Sequence, residues 1–465
     1  MIEIRLTLIV NGYIMGIVNL SCGTQKEETV MKKFTKALLG LGVVLASTTL
    51  LTACGNSNSG SSSNGKTTVT IWADDPNFNV PIMKTAVKMY NAEHKNSGVT
   101  FKVQTQGDYN TKVQTVLSAG NKKNYPNIIK IEDYGSQKLI SSYQNSFLTQ
   151  NVDLSNFSKY KKSVVNYKGK TYGMPFDSGV SALFYRKDVF AKYGVKAKDL
   201  NNITWDQFMK LAEKVHKGSG KSILGTGALV GEDPDLVRQM LQSAGSWYFD
   251  DSGKLDVNST AFKQSLKTVK SLKDNGLVTG YSDFNARNKA LYNGNNLAVV
   301  EGAWFSASLK ADKKSSGKWG IATVPRLTNV KGATNSTNEG GSSWYALNTG
   351  NAKADNAAKK FLKTMFDGNS KFYGKVLKEQ AAVTTYKPAM SNKEWNTNDT
   401  FYNQKVNQYF KQNLNKIPSV SYGIHSSEVE NILSGNLNNY YSGKTSLDAT
   451  IKKIQSSYKS QVGSN

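Results

Sequence analysis

The sequence predicts an α/β protein, because strand-length apolar alternation and helical periodicity take turns along the chain from residue 67 onward. Apolar residues make up 38% of the 465 residues and aromatics 10%, enough for burial to offset the entropy of ordering a globular chain. At roughly 100–200 residues per domain this length leaves room for two or three folding units. No repeat of fixed period points to a solenoid.

Ahead of the alternation, the chain reads as a processed leader. Residues 31–36 (MKKFTK) form a basic start, and residues 37–51 are a 15-residue apolar run, too short for a comfortable membrane span. Leu51-Thr52-Ala53-Cys54 resembles a bacterial lipobox, which predicts cleavage before Cys54 and acylation of its sulfur. Two acyl chains there would give stable anchoring, since one binds only marginally. Residues 55–65 are almost entirely Gly, Ser and Asn, a composition that cannot build a core and reads as a flexible tether. The expected division is therefore signal peptide 31–53, lipidated cysteine and tether 54–66, and a mature body beyond. Residues 1–30 precede the better start at Met31, and their own apolar stretch ends in Asn19-Leu20-Ser21-Cys22, where Asn19 spoils a lipobox. They read as a mis-assigned upstream extension.

In the mature body, Val69-Thr70-Ile71-Trp72 predicts a strand, and residues 81–93 place Ile82, Ala86, Met89 and Tyr90 on one helical face. Pro81 suits the first helical turn. Val99, Phe101 and Val103 alternate as a strand, residues 109–119 are helical in period, and residues 127–131 form a short buried strand. Strand-helix-strand order implies a parallel sheet. A second α/β region begins near Ala182, and its clearest helix opens with Thr204 and Gln207 spaced as a capping box, followed by the stripe Phe208, Leu211, Ala212 and Val215. Thr445 and Asp448 predict another capped helix, carrying Leu447, Ile451, Ile454 and Tyr458. Residues 328–341, rich in Asn, Thr and Gly, read as an exposed crossing segment.

Charge and cysteine usage exclude several functions. The net charge is +25, but the lysines are scattered among Asn and Ser without Arg-aromatic interleaving, so nucleic acid is not the expected partner and an anionic cell envelope suits the charge better. With only Cys22 and Cys54 present, neither a disulfide framework nor a cysteine zinc site is available. His94, His216 and His425 are far apart and lack ligand spacing, so no metal is expected. No G-x-S-x-G elbow, P-loop or dinucleotide fingerprint occurs, so no cofactor or catalytic set is assigned. Asp250-Asp251-Ser252-Gly253-Lys254 resembles a calcium loop, but Ala261 stands where a bidentate Glu is needed, which leaves a hairpin turn.

Aromatic and acidic residues in loops that follow strands remain, where open α/β sheets bind ligands. Trp72-Ala73-Asp74-Asp75 ends the first strand, Glu132-Asp133-Tyr134 the third, and Asp177 follows Tyr172-Gly173-Met174-Pro175-Phe176. Carboxylates accept hydrogen bonds from paired hydroxyls and aromatic rings stack on the C–H faces of a pyranose, so the mixture suits a sugar.

Four segments then resemble extracellular solute-binding family 1, the maltose and multiple-sugar binding proteins of ABC importers. They are GKTYGMPFD at 169–177 continuing into ALFYRKD at 182–188, TWDQF at 204–208, GNNLAVVEGAW at 294–304 and GGSSW at 340–344. The resemblance implies a two-lobed periplasmic-binding-protein-like fold of type II, with hinge crossings and a central ligand cleft. It divides the chain into one lobe at 67–177 and 341–385 and another at 182–325 and 390–465. Asp133, Asp177, Trp304 and Trp344 match cleft positions of relatives, Asp74 and Asp75 less closely, while Gly341 lets backbone approach the ligand, and Trp247 and Tyr422 are further platforms. It implies a monomeric, lipid-anchored protein on the outer face of the cell membrane, binding a mono- or oligosaccharide and handing it to ABC permease subunits. Two rival readings of the same residues stay open: a secreted glycoside hydrolase, whose acids would have to stand about 5–10 Å apart, and a peptide-binding or adhesive surface lipoprotein.

Overall fold

The computed structural model describes residues 3–10, 13–21 and 66–463, distributed over two units, Met1–Ser62 and Ser63–Asn465. In the first unit, strands Glu3–Val10 and Tyr13–Ser21 pair as an antiparallel hairpin. The leader at 31–53, Cys22, Cys54 and the tether at 54–65 lie outside the described residues.

The second unit is framed by two five-stranded sheets. Across the first sheet the order is Val99–Thr105, Thr67–Ala73, Ile128–Glu132, Ser342–Ala346 and Gly173–Pro175. Its first three strands are parallel, and Ser342–Ala346 runs antiparallel to both neighbours. The second sheet repeats the plan, in the order Val278–Gly280, Ser222–Thr226, Asn296–Gly302, Ser181–Arg186 and Trp319–Ala322. Three parallel strands come first, and Ser181–Arg186 is antiparallel to both of its partners. In each sheet the antiparallel strand is the one that the chain enters on arriving from the other sheet. Its direction is reversed because a crossing chain reaches the sheet at its cleft end, whereas the parallel strands reach that end only as they finish.

Helices follow the sequence pattern closely. The predicted helix at 109–119 is Tyr109–Ala119, and that at 81–93 starts two residues earlier as Asn79–Glu93. Helix Trp205–Ser219 has both halves of its capping box: the Gln207 backbone N–H donates to Thr204 Oγ1 at 3.3 Å and the Thr204 N–H donates to Gln207 Oε1 at 2.9 Å. The final helix, Leu447–Val462, is capped one residue later than predicted. Ser446 Oγ accepts from the Ala449 N–H at 3.2 Å, while Thr445 Oγ1 instead meets Thr450 Oγ1 at 2.9 Å. The Asp250 loop is a hairpin turn, its carboxylate accepting from the Ser252 and Lys254 N–H groups.

Three apolar clusters make up the core. Val69, Ile71, Ile128 and Trp344 of the first sheet pack on Phe361, Leu362, Phe366 and Tyr373. Phe208, Leu224, Leu241, Phe262 and Leu266 fill the second lobe, and Val180, Phe184, Phe305, Trp319 and Phe410 form a cluster beside the crossings.

The crossings pair with one another. The Glu339 N–H donates to the Gly179 carbonyl at 2.8 Å, the Ser181 N–H to Thr337 O at 3.0 Å, and the Ser178 N–H to Val383 O at 2.8 Å. A third segment around residues 383–385 thus lies alongside the other two. The reading of residues 328–341 as exposed holds for Asn329, Lys331 and Gly332 but not for the crossing itself, where Ser336, Thr337, Asn338 and Glu339 are buried, because a backbone bridge between lobes must find its hydrogen-bond partners in neighbouring chain rather than in water. The strands approach so closely that a Cβ on Gly179 would lie 1.8 Å from the Glu339 carbonyl oxygen, and only glycine fits there.

Candidate functional site

The parallel strands of the first sheet all end toward the same place. Asp74 and Asp75 follow Thr67–Ala73, Glu132 closes Ile128–Glu132, and Tyr134 stands in the first turn of helix Asp133–Ser142. From the second lobe come Asp235 and Arg238, on the first turns of helix Asp235–Ser243, and Trp304 just past strand Asn296–Gly302. The crossings add Asp177, Glu339, Gly340, Gly341 and Ser342. Together these residues enclose a cavity of about 230 Å³.

Two cations organise the cavity. Lys130, almost wholly buried in its strand, donates to Asp74 at 2.5 Å and to Glu132 at 3.2 Å. Burial pulls the ammonium down, but Glu132 and Asp74 outweigh it and hold Lys130 above the ordinary lysine range. Asp74 is burdened by burial too, and Lys130 brings it below its usual value. Arg238 pairs with Glu339 at 2.8 Å, Glu430 at 3.2 Å and Asp235, and its guanidinium lies 4.7 Å from the Tyr134 ring centroid in the other lobe, within cation–π range. The Tyr134 hydroxyl in turn donates to Glu132. Burial pushes Glu339 well above the usual carboxylate range, and Arg238 offsets only part of that. Asp177 is likewise raised by burial, against Lys161 and two bonds from Ser342, whose N–H and Oγ donate at 2.8 and 2.7 Å.

Five of the predicted residues line this cavity: Asp74, Asp75, Asp177, Trp304 and Gly341. Asp75 spends one oxygen on the Asn77 and Phe78 N–H groups, at 2.7 and 3.1 Å, so it shapes the loop as well. Trp304 donates its Nε1–H to the Glu339 carbonyl at 3.0 Å and stacks on Phe284 at 6.0 Å, which fixes the indole while leaving it part-exposed. Gly341 has φ +85°, and a Cβ there would lie 2.9 Å from Asp133 Oδ2.

The other four sit elsewhere. Asp133 is fully buried behind the cavity, gripped by Lys161 Nζ at 2.7 and 2.8 Å; burial pushes its carboxyl up to about 6 in spite of that partner. Trp344 is fully buried against Phe176 and Phe366 in the first lobe, because strand alternation turns it to the core face. Trp247 donates to Ser426 Oγ at 2.8 Å and meets the Tyr422 ring edge-on at 4.8 Å, while the Tyr422 hydroxyl donates to Gln242 at 3.2 Å. Both rings belong to the second-lobe core, their polar atoms satisfied internally.

The cavity also contains Glu132 and Tyr134, from the loop after the third strand that the sequence singled out, and Lys130, Asp235, Arg238 and Glu339, which sequence reasoning did not place in the site. Signals existed: a lysine inside the apolar run IIKIE, and an arginine within the otherwise buried stretch LVRQML, are charges that an apolar element tolerates only with partners.

Replacing Arg238 tests this electrostatic reading. Arg238→Met strips Glu339 of its cation in a buried setting, which costs about 3–5 kcal/mol of stability for a broken buried pair, and adding Glu339→Gln should recover at least half of that. Glu339 binds its proton more tightly folded than unfolded, so stability of the single variant rises as pH falls through that window toward the ordinary glutamate value near 4.5. Urea unfolding at pH 5 and 8 checks both outcomes; equal stability of Arg238→Met and parent at pH 8 would show the pair to be dispensable.

Comparison with known proteins bears on the family and the fold. The model of the bacterial extracellular solute-binding protein family matches residues 85–401. The chain is 36% identical over 398 residues, 85% of its own length and 93% of the relative's, to the lactose-binding protein of Rhizobium radiobacter. An arabinooligosaccharide-binding protein of Bacillus subtilis is 28% identical over 250 residues, 52% of this chain and 54% of that protein. In fold, the chain is similar to the GacH receptor of Streptomyces glaucescens, with a TM-score of 0.70, 20% identity and 85% and 98% of the two chains covered. It is also similar to the ABC-transporter-associated binding protein of B. animalis subsp. lactis, solved with beta-1,6-galactobiose, with a TM-score of 0.69, 21% identity and 86% and 98% covered. The chain belongs to the bacterial extracellular solute-binding protein family.

Proposed function

We propose that this protein captures a sugar between its two lobes outside the cell and passes it to the permease of an ABC importer, held at the membrane by lipid on Cys54. One observation carries the sugar reading: the cavity combines an excess of carboxylates with a single part-exposed indole. Asp74, Asp75, Glu132, Asp177, Asp235 and Glu339 face it against only Lys130 and Arg238, a set rich in acceptors for ligand hydroxyls, and Trp304 offers a ring for a pyranose face. Lactose is the first ligand to try, since a relative of 36% identity is a lactose-binding protein. The relatives named above are binding proteins, which favours capture over hydrolysis.

Trp304→Ala separates binding from packing. If the indole stacks on the sugar, truncation costs about 2 kcal/mol or more of affinity, on the order of thirtyfold in Kd. If it serves only the core, the loss appears as roughly 3–5 kcal/mol of stability with affinity unchanged in the folded fraction. Calorimetric titration of lactose paired with a thermal melt distinguishes the two; unchanged affinity in a folded variant removes Trp304 from the site.

Anchoring is tested by Cys54→Ser. Fractionation of cells should find the variant released from membranes with its sugar binding intact, whereas membrane retention equal to the parent would contradict lipid attachment.

A further inference from the structure

A groove of about 670 Å³ lies at the other end of the first sheet from the cavity. Thr67 and Val99, the first residues of two parallel strands, line it, while Asp74 and Asp75, just past the finish of one of them, line the cavity. The 7 residues of strand Thr67–Ala73, at about 3.3 Å each, hold the two apart by roughly 20 Å. Charge reverses along the same strands. At their finish Asp74, Asp75 and Glu132 face the cavity. At their start Lys95, Lys353 and Lys360 line the groove, with Glu93 as its single acid among the described residues. The connections at this end share the bias: residues 94–98, 120–127 and 347–351 contain Lys95, Lys122 and Lys123 but no Asp or Glu, and Lys66 stands where the chain enters the sheet. All of these lysines are exposed. Lys130 and Arg238 are held by carboxylates, whereas Lys95, Lys353 and Lys360 pair with none among the described residues. The wall behind them is firm, since the Thr67 N–H donates to Gly98 O at 2.7 Å and the His94 ring stacks on Tyr90 at 4.2 Å.

We infer that this groove is a docking face for an anionic lipid surface, which holds the start of the first sheet against the membrane and leaves the cavity at the other end open to ligand. The inference rests on lipid attachment at Cys54, proposed above. Position argues for it. Lys66 stands 12 positions after Cys54, so even a fully extended connection keeps this end of the lobe within about 40 Å of an acylated sulfur. Charge argues for it as well, because lysines without protein partners are matched by headgroup phosphates, and each one near an anionic surface strengthens attachment by about fivefold. Exposed charges act only within a Debye length of about 8 Å, and the groove gathers three of them on one face. A soluble polyanion matches the charge but not the place beside the anchor. Three lysines alone bind too weakly to keep an unacylated chain on membranes through washing; they orient a chain that lipid already holds, as a basic patch does when it supplements acylation.

Vesicles of equimolar phosphatidylglycerol and phosphatidylcholine, and of phosphatidylcholine alone, are the probes. They are mixed with the mature chain from residue 54 carrying Cys54→Ser, so that no acyl chain contributes. Sedimentation at low salt should find this chain on the anionic vesicles only, and about 1 M salt should release it, because the Debye length shrinks to about 3 Å. Adding Lys95→Gln, Lys353→Gln and Lys360→Gln together should weaken binding by about tenfold or more. Lys198→Gln, Lys210→Gln and Lys221→Gln, at exposed positions of the second lobe, remove the same charge and should change binding by less than about threefold, since they lie beyond screening range of the surface. Thermal melts matching the parent show both triple variants to be folded. Equal weakening in the two triples, unaltered binding in the groove triple, or no preference of the parent chain for anionic vesicles overturns the docking face. Each of those failures leaves the Cys54 reading standing, because no acyl chain is present in the assay. Membrane retention of Cys54→Ser in cells that survives a high-salt wash is the outcome that counts against lipid attachment itself.

Discussion

Everything in the body of this protein depends on how closely three crossing segments run past one another. Residues 176–181, 337–342 and 383–385 bond backbone to backbone, and the approach at Gly179 leaves no space for a side chain. The two sheets take their plan from this contact, since each receives one antiparallel strand directly from a crossing. Buried ion pairing reinforces it. Lys161 Nζ reaches both Asp133 oxygens and, at 2.8 Å, the Ser342 carbonyl, so one fully buried ammonium ties the helix after the third strand to the returning crossing. Such a pair contributes little net stability compared with an apolar replacement, but its loss on one side is costly. Its effect is to fix one geometry for the backbone at Gly341 and Ser342, which form the wall of the cavity.

The same economy governs the cavity. Its two cations are saturated by protein carboxylates, Lys130 by Asp74 and Glu132 and Arg238 by Asp235, Glu339 and Glu430. A ligand therefore meets few free donors, which disfavours anions and suits neutral molecules that bring their own hydroxyl donors. Arg238 does further work across the cleft, since its pairs lie in the second lobe and the crossing while its face rests on Tyr134 of the first. This contact sets a delocalised cation against an aromatic ring of the facing lobe, an interaction worth about 0.5–2 kcal/mol depending on desolvation.

Much of the fold was legible because periodicity and capping are local. Helix Tyr109–Ala119 and the Thr204–Gln207 box follow from residue spacing alone, and the four motif segments resemble the family that the comparisons place the chain in. Site residues were legible only where position along a strand also fixed direction. Asp74, Asp75, Asp177, Trp304 and Gly341 emerge at strand ends or crossings and face the cavity. Trp344 lies one pleat from such a position, and a single residue of register decides between cleft and core. Asp133 was hidden for another reason: its partner, Lys161, lies 28 positions away, and nothing local marks a carboxylate as already paired. Arg238 and Glu339 were missed on the same ground, since their pairing joins residues 101 apart in sequence.

Small-angle X-ray scattering of the full mature chain, with and without a saturating sugar already shown to bind, tests the central claim that ligand is held between lobes hinged on these crossings. Rigid lobes turning about the crossing segments should close over the sugar, so the radius of gyration is predicted to fall on saturation. An unchanged radius of gyration at full occupancy would contradict it.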